Sequence, residues 1–193
     1  SPPWSRSVTI HKSEWSSSDL TGRFPVRSVH GFEYVLVVSH RGYIHLTPLR
    51  SRSSASYVAA FVSIVSFFKT LSHPLTHLLL DNETSSDLTA FFVSSFIAYQ
   101  YVAPNNHRTL PAERAIRTAK NHIISVLAAC HVSFPSNRWP DLLPHIELTL
   151  NSLLSYKPNP SLSAWHGLHS IPFDFAAHPI TPPVNLLLPT THR

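Results

Sequence analysis

Methionine is missing from the 193 residues, cysteine occurs once and glycine only four times. A single Cys130 excludes an internal disulfide framework and any multi-cysteine zinc cluster, even beside fourteen histidines. No run approaches the roughly eighteen uncharged apolar residues of a membrane span. The most apolar stretch, ASYVAAFVSIVSFFKTL at 55–71, is interrupted by serines and a lysine and reads as a core helix. The opening SPPWSRSVTI lacks a basic region followed by an apolar one, so no secretory signal is expected, and an intracellular chain is. With no methionine even at position 1, a segment of a longer polyprotein is expected rather than a complete reading frame. Acids are scarce as well. Ten Asp and Glu against fifteen Lys and Arg leave a formal charge of +5, which favours polyanionic partners.

At 43% hydrophobic residues the chain can bury one sizeable core. The expected organisation is an irregular lead-in at 1–12, a packed core at 13–156 and a Pro-rich extension at 157–193. FEYVLVVSH (32–40) is aromatic and β-branched and too short for a helix, so it reads as a buried strand. Arg41 and Gly42 then supply a turn into a second strand, YIHLTPL (43–49). A first strand ends within SDLTGRFPVRS (18–28). Tyr57, Phe61, Ile64, Val65 and Phe68 fall on one face of a helix. LTHLLL (75–80) reads as a central strand, followed by a helix from about Ser86 to Ala98, a strand YQYVA and a loop PNNHRTLP (104–111). From Ala112 a long helix carries Ile116, Ala119, Ile123, Leu127 and Cys130 on one stripe, and a further helix is predicted from Trp139 to Leu154. This alternation predicts an α/β fold, a mixed five-stranded sheet flanked by helices on both faces.

Three acids stand out on that map. Asp19 ends the first strand, Asp81 ends LTHLLL, and Glu113 opens the long helix. Strand ends far apart in sequence can converge on one crevice of an α/β sheet. Three hard oxygen ligands there would suit Mg²⁺ or Mn²⁺, and a pair of such ions serves phosphoryl transfer by activating the attacking oxygen and stabilising the leaving one. Each acid also has a plain structural use: a turn residue for Asp19, an Asx turn or cap for Asp81, a favourable charge in a first helical turn for Glu113.

The segments SDLTGRFPVRS, YVLVV, LLLDNETSS and ERAIRTAKNHI together resemble the integrase catalytic core of long-terminal-repeat retrotransposons, within the retroviral integrase superfamily and its D,D,E triad. The similarity runs over about residues 10–175. WPDLLPHIELTLN (139–151) resembles the segment that follows the long helix in these elements. The resemblance implies a ribonuclease H-like fold, with Asp19, Asp81 and Glu113 as catalytic, metal-binding residues for two Mg²⁺ or Mn²⁺ ions. It implies processing of element DNA ends and their joining to target DNA, by a homo-oligomer located in the nucleus. Thirty-one residues separate Asp81 from Glu113, fewer than is usual in the family, and the zinc-binding domain that normally precedes the core has no counterpart here.

Two other functions fit the same residues: a degenerate, inactive core acting only as a DNA-binding or assembly module, and a ribonuclease H-type nuclease. The nuclease family places a further metal-binding glutamate on the first helix, and residues 55–71 contain no acid. Arg117 and Lys120 lie four and seven residues beyond Glu113 on nearly the same side of the helix, suited to phosphates beside a metal site. Arg114, Asn82, His107 and Arg108 are further candidates for contact with nucleic acid. No structural zinc is expected, because the histidines lack metal spacing and companion cysteines. Trp15, Trp139 and Trp165 read as core anchors.

Overall fold

The computed structural model describes residues 15–80, 85–101 and 111–174, the last stretch without the side chains of 111–113. Five strands form one sheet in the order β3-β2-β1-β4-β5. β1 (Ser16–Leu20) reads SSSDL, a sequence with little strand preference, and it is strand because it is paired on both sides. It runs antiparallel to β2 (Tyr34–His40) and parallel to β4 (His77–Leu80). β2 and β3 (Tyr43–Leu49) form a hairpin with His40 opposite Tyr43. Its two-residue turn needs positive φ at both positions, which Arg41 (52°) and Gly42 (91°) supply. β5 (Ala98–Tyr101) pairs parallel with β4 at the other edge.

The alternation along β2 divides the core. Leu36 and Val38 face one layer, with α1 (Ser54–Thr70), α2 (Ser86–Ser94) and α5 (Ala164–His169); its centre is Phe61, Ile64, Phe68 and Phe92. Val35 and Val37 face the other, with α3 (Pro111–Ala129) and α4 (Leu143–Leu153). A strand buried on both faces reads as a continuous apolar run, as YVLVV does. This is the mixed sheet with helices on both faces expected from the sequence.

Local chemistry sets the helix ends. Ser53 caps α1 by accepting from the Ser56 N–H, and Ser85 caps α2 by accepting from the Leu88 N–H. α2 stops at Ser94, four residues before the expected end. Phe96 adopts φ 56° there, and the Ile97 N–H bonds back to the Phe92 carbonyl. α3 opens on Pro111, one residue before the expected start and inside the expected loop, a position where a missing N–H costs nothing. The helix expected from Trp139 begins only at Leu143, because Pro140 sits within a 3-10 segment, Ser136–Leu142. Within that segment Trp139 is buried, stacked on Phe24 at 4.2 Å, and donates from its indole to the Val26 carbonyl at 3.0 Å. Residues 104–110 of the expected loop lie outside the described residues.

A Pro-rich extension is expected from residue 157; residues 175–193 of it lie outside the described residues, and before them the chain forms further elements. β6 (Ser155–Tyr156) and β7 (Asn159–Ser163) make a small hairpin, and α5 then buries Ala164 and Leu168 in the first core layer. Gly167 permits this, since a Cβ there would stand 2.0 Å from the Tyr156 ring.

The outer edge of the sheet is closed by side chains rather than by another strand. On α4, Asn151 accepts from the Ile44 N–H at 2.8 Å and donates to the Ile44 carbonyl at 2.7 Å, while Glu147 accepts from the Leu46 N–H at 2.9 Å. Among the described residues, no helix is long and apolar enough to cross a membrane.

Candidate functional site

Asp19 stands near the carboxyl end of β1, opposite Val37 of β2. Side chains of directly paired residues share a face, so Asp19 points with Val37 toward the α3 layer while Leu20 points with Leu36 toward α1. On its other side β1 pairs Ser18 with Leu80, the last described residue of β4. The ends of two parallel neighbours therefore lie side by side, where α/β sheets form their crevices. A cavity of about 150 Å³ opens at this point, lined by Ser18, Asp19, Leu20 and Leu80 and, from the helical layer, by Tyr57, Phe61 and Leu88, with Arg52 at its side.

α3 crosses the opposite face. Ile116, Ala119 and Ile123 are buried against the sheet, so the helix is fixed in rotation about its axis. That places Lys120 at the flank of the apolar stripe, and its ammonium donates to the Asp19 carboxylate. The two side chains are 29% and 33% exposed, a partly solvated pair beside the sheet rather than a buried one. Glu113 belongs to the first turn of the same helix, two turns before Lys120, or roughly 10 Å along the axis. Arg114 and Arg117 are exposed on α3.

The structure thus brings together Asp19 and Lys120 from the expected set. Asp81, Asn82, His107 and Arg108 lie outside the described residues, as does the side chain of Glu113. Among the described residues no three His, Cys, Asp or Glu side chains converge so as to hold a metal; two of the three candidate acids fall outside that set. Asp19 has the chemistry of a hard-cation ligand: its side chain is one third exposed, and its carboxylate already faces one positive charge.

A second polar centre has no counterpart among the expected site residues. The Glu147 carboxylate accepts from the Tyr43 hydroxyl at 2.8 Å, lies 3.0 Å from His45 Nδ1 and accepts the Leu46 N–H. Burial and the Glu147 charge push the Tyr43 phenol above its ordinary range. These groups border a mainly apolar cavity of about 950 Å³ between β3, α4 and α5. In sequence the only sign of them is a polar pair, Glu147 and Asn151, one helical turn apart among apolar residues.

No family model matches the sequence, and no curated protein matches it significantly. Solved structures do. The catalytic core domain of BIV integrase superposes with a TM-score of 0.58 at 14% identity, covering 82% of this chain and 95% of that domain. This is the fold of retroviral integrase catalytic cores. The simian T-cell lymphotropic virus intasome, solved in complex with PP2A regulatory subunit B56 gamma, has a matching chain at a TM-score of 0.61 and 18% identity. That match covers 94% of the present chain and 60% of the other. The integrase-core fold also accounts for the strand order, with β1 central and the long α3 crossing the face to which Asp19 points.

Proposed function

We propose that the chain is the catalytic core of a retrotransposon-type integrase, a polynucleotidyl transferase that processes the ends of element DNA and joins them to target DNA. One observation carries this reading: Asp19 sits near the carboxyl end of the central strand, on the face crossed by the helix whose first turn contains Glu113. In an integrase-core fold that is where hard-ion chemistry on a phosphodiester would be set up.

Asp19, Asp81 and Glu113 would hold Mg²⁺ or Mn²⁺. Such ions, when bound, would sharpen the attacking oxygen and neutralise charge on the leaving one. The chain's own residues would do the rest. Carboxylates would fix the ligand sphere and offset its charge, while Arg114, Arg117 and Lys120 would bind DNA phosphates along α3, with Asn82, His107 and Arg108 as further contacts. The formal charge of +5 favours the same partner. α1 carries no acid, which weighs against a ribonuclease H-type nuclease. Assembly as a homo-oligomer on two DNA ends, in the nucleus, follows from the same reading.

The test is disintegration of a branched DNA substrate with Mn²⁺, alongside strand transfer. Activity abolished by Asp19→Asn and by Asp81→Asn is the expected result. Activity indifferent to both substitutions would remove the catalytic assignment, and duplex binding without any chemistry would leave an inactive DNA-binding module.

A further inference from the structure

We propose that Lys120 is a built-in counter-ion for Asp19 that a divalent cation must displace, and that its release hands the ammonium to a DNA phosphate, so that metal and DNA bind cooperatively. The inference rests on the proposed metal site and names its regulation. Among the described residues the Lys120 ammonium meets the Asp19 carboxylate, the group proposed to hold metal. The ammonium occupies one carboxylate oxygen, Oδ2, and its charge repels a divalent cation brought to the same carboxylate, so each weakens the hold of the other.

The geometry makes departure easy. Both side chains are about one third exposed, and a pair so solvated contributes little to stability. Lysine suits the role, being a compact charge on a flexible four-carbon stem that can swing without disturbing its helix. The anchoring residues Ile116, Ala119 and Ile123 stay buried whichever way the stem points. Once free, the ammonium stands on the helix that also exposes Arg114 and Arg117, so a phosphate there would meet a continuous basic run. Without DNA, the pair holds metal affinity down. With DNA, phosphate draws Lys120 away and Asp19 is released to the metal. By linkage, metal must strengthen DNA binding by the factor by which DNA strengthens metal binding.

The test uses the whole chain and two binding measurements. Mn²⁺ is titrated by calorimetry into the parent protein, Lys120→Gln, Lys120→Arg and Asp19→Asn, with thermal melts confirming that each is folded. Lys120→Gln is expected to bind Mn²⁺ about fivefold more tightly, the ceiling for an exposed ion pair. Lys120→Arg keeps the charge and is expected to stay close to the parent, and Asp19→Asn to lose the site. Anisotropy of a short fluorescent duplex is then followed with and without Mn²⁺. The gain in DNA affinity produced by Mn²⁺ is expected to shrink by about the same factor in Lys120→Gln. Mn²⁺ binding that needs Asp19 but is unchanged or weakened in Lys120→Gln would overturn the counter-ion role while leaving the metal site standing. Mn²⁺ binding indifferent to Asp19→Asn would overturn both.

Discussion

The ammonium of Lys120 on α3 donates to the carboxylate of Asp19 on β1, joining residues 101 positions apart in the chain. The pair lies where the central strand ends against the long helix, and its partial exposure separates its part in stability from its part in chemistry. Asp19→Asn keeps the shape of the side chain and removes its charge. The expected cost is under about 1 kcal/mol in urea denaturation, as for other solvated ion pairs, while the proposed disintegration activity is lost. A much larger loss of stability would mark Asp19 as a structural residue.

Arg117 is exposed on α3, one turn before Lys120. If it meets a phosphate, Arg117→Ala should weaken duplex binding to all sequences alike and lower the slope of log K against log salt by about 1. Anisotropy titrations across a salt series measure this, and an unchanged slope would place Arg117 off the DNA path.

Acid should unfold the chain partly through His40. It is buried in the first core layer, with Ser16 Oγ 2.7 Å from its Nδ1 and its ring edge-on to Phe68 at 4.8 Å. Burial, aided by the Arg41 charge, lowers its pKa to about 4. The folded state therefore keeps His40 neutral after the unfolded chain has taken up a proton. Its contribution is fully present above about pH 6.5 and is lost as pH falls toward 4, by about 3 kcal/mol at the end of that window. His73 and His169 are also lowered by burial and act in the same direction. Denaturation of the parent and of His40→Gln at pH 7 and pH 4.5 isolates the effect. The gap in stability between the two proteins should narrow in acid, and a constant gap would discount His40.

Asn151 is fully buried and spends its amide on the Ile44 backbone and the Glu147 carbonyl. Asn151→Ala leaves a buried N–H and a buried carbonyl without partners, at an expected cost of about 2–4 kcal/mol. Urea denaturation reads the loss directly. A cost below about 1 kcal/mol would mean that water enters and replaces the amide.

Gly167 lies against the Tyr156 ring, within the reach of any Cβ. Gly167→Ala should cost about 1–3 kcal/mol through overpacking. In Tyr156→Leu, which clears the ring, the same substitution should cost less. Equal costs in both backgrounds would show that the ring gives way freely.

Which parts of the fold were legible in the sequence follows from the range of the interactions that form them. The β2–β3 hairpin is readable because its strands are apolar and its turn is local, so Arg41 and Gly42 fall where expected. The face of α1 is readable for the same reason: Tyr57, Phe61, Ile64 and Phe68 are all buried. Elements whose form depends on distant packing were not. Ser155–Tyr156 and Asn159–Ser163 have turn-like compositions and become strands through each other, backed by α5. Pro140 moves the start of α4 by four residues, although the apolar period continues through it. At the candidate site, Asp19 and Lys120 each stand out by their chemistry, but their pairing depends on how α3 is rotated against the sheet. Glu147 carries no such signal in the sequence, because its partners Tyr43, His45 and Leu46 lie on another element some hundred residues away.

The amide of Asn151 and the carboxylate of Glu147 have a consequence for how copies of the chain meet one another at high concentration. A bare edge strand invites another chain to add to it, the first step in fibre growth. At β3 the N–H groups of Ile44 and Leu46 are already taken by a helix of the same chain. The opposite edge, β5, has four residues, a short template for strand addition. Crowded copies would therefore find little open sheet edge on which to add, and irreversible growth of the sheet is disfavoured.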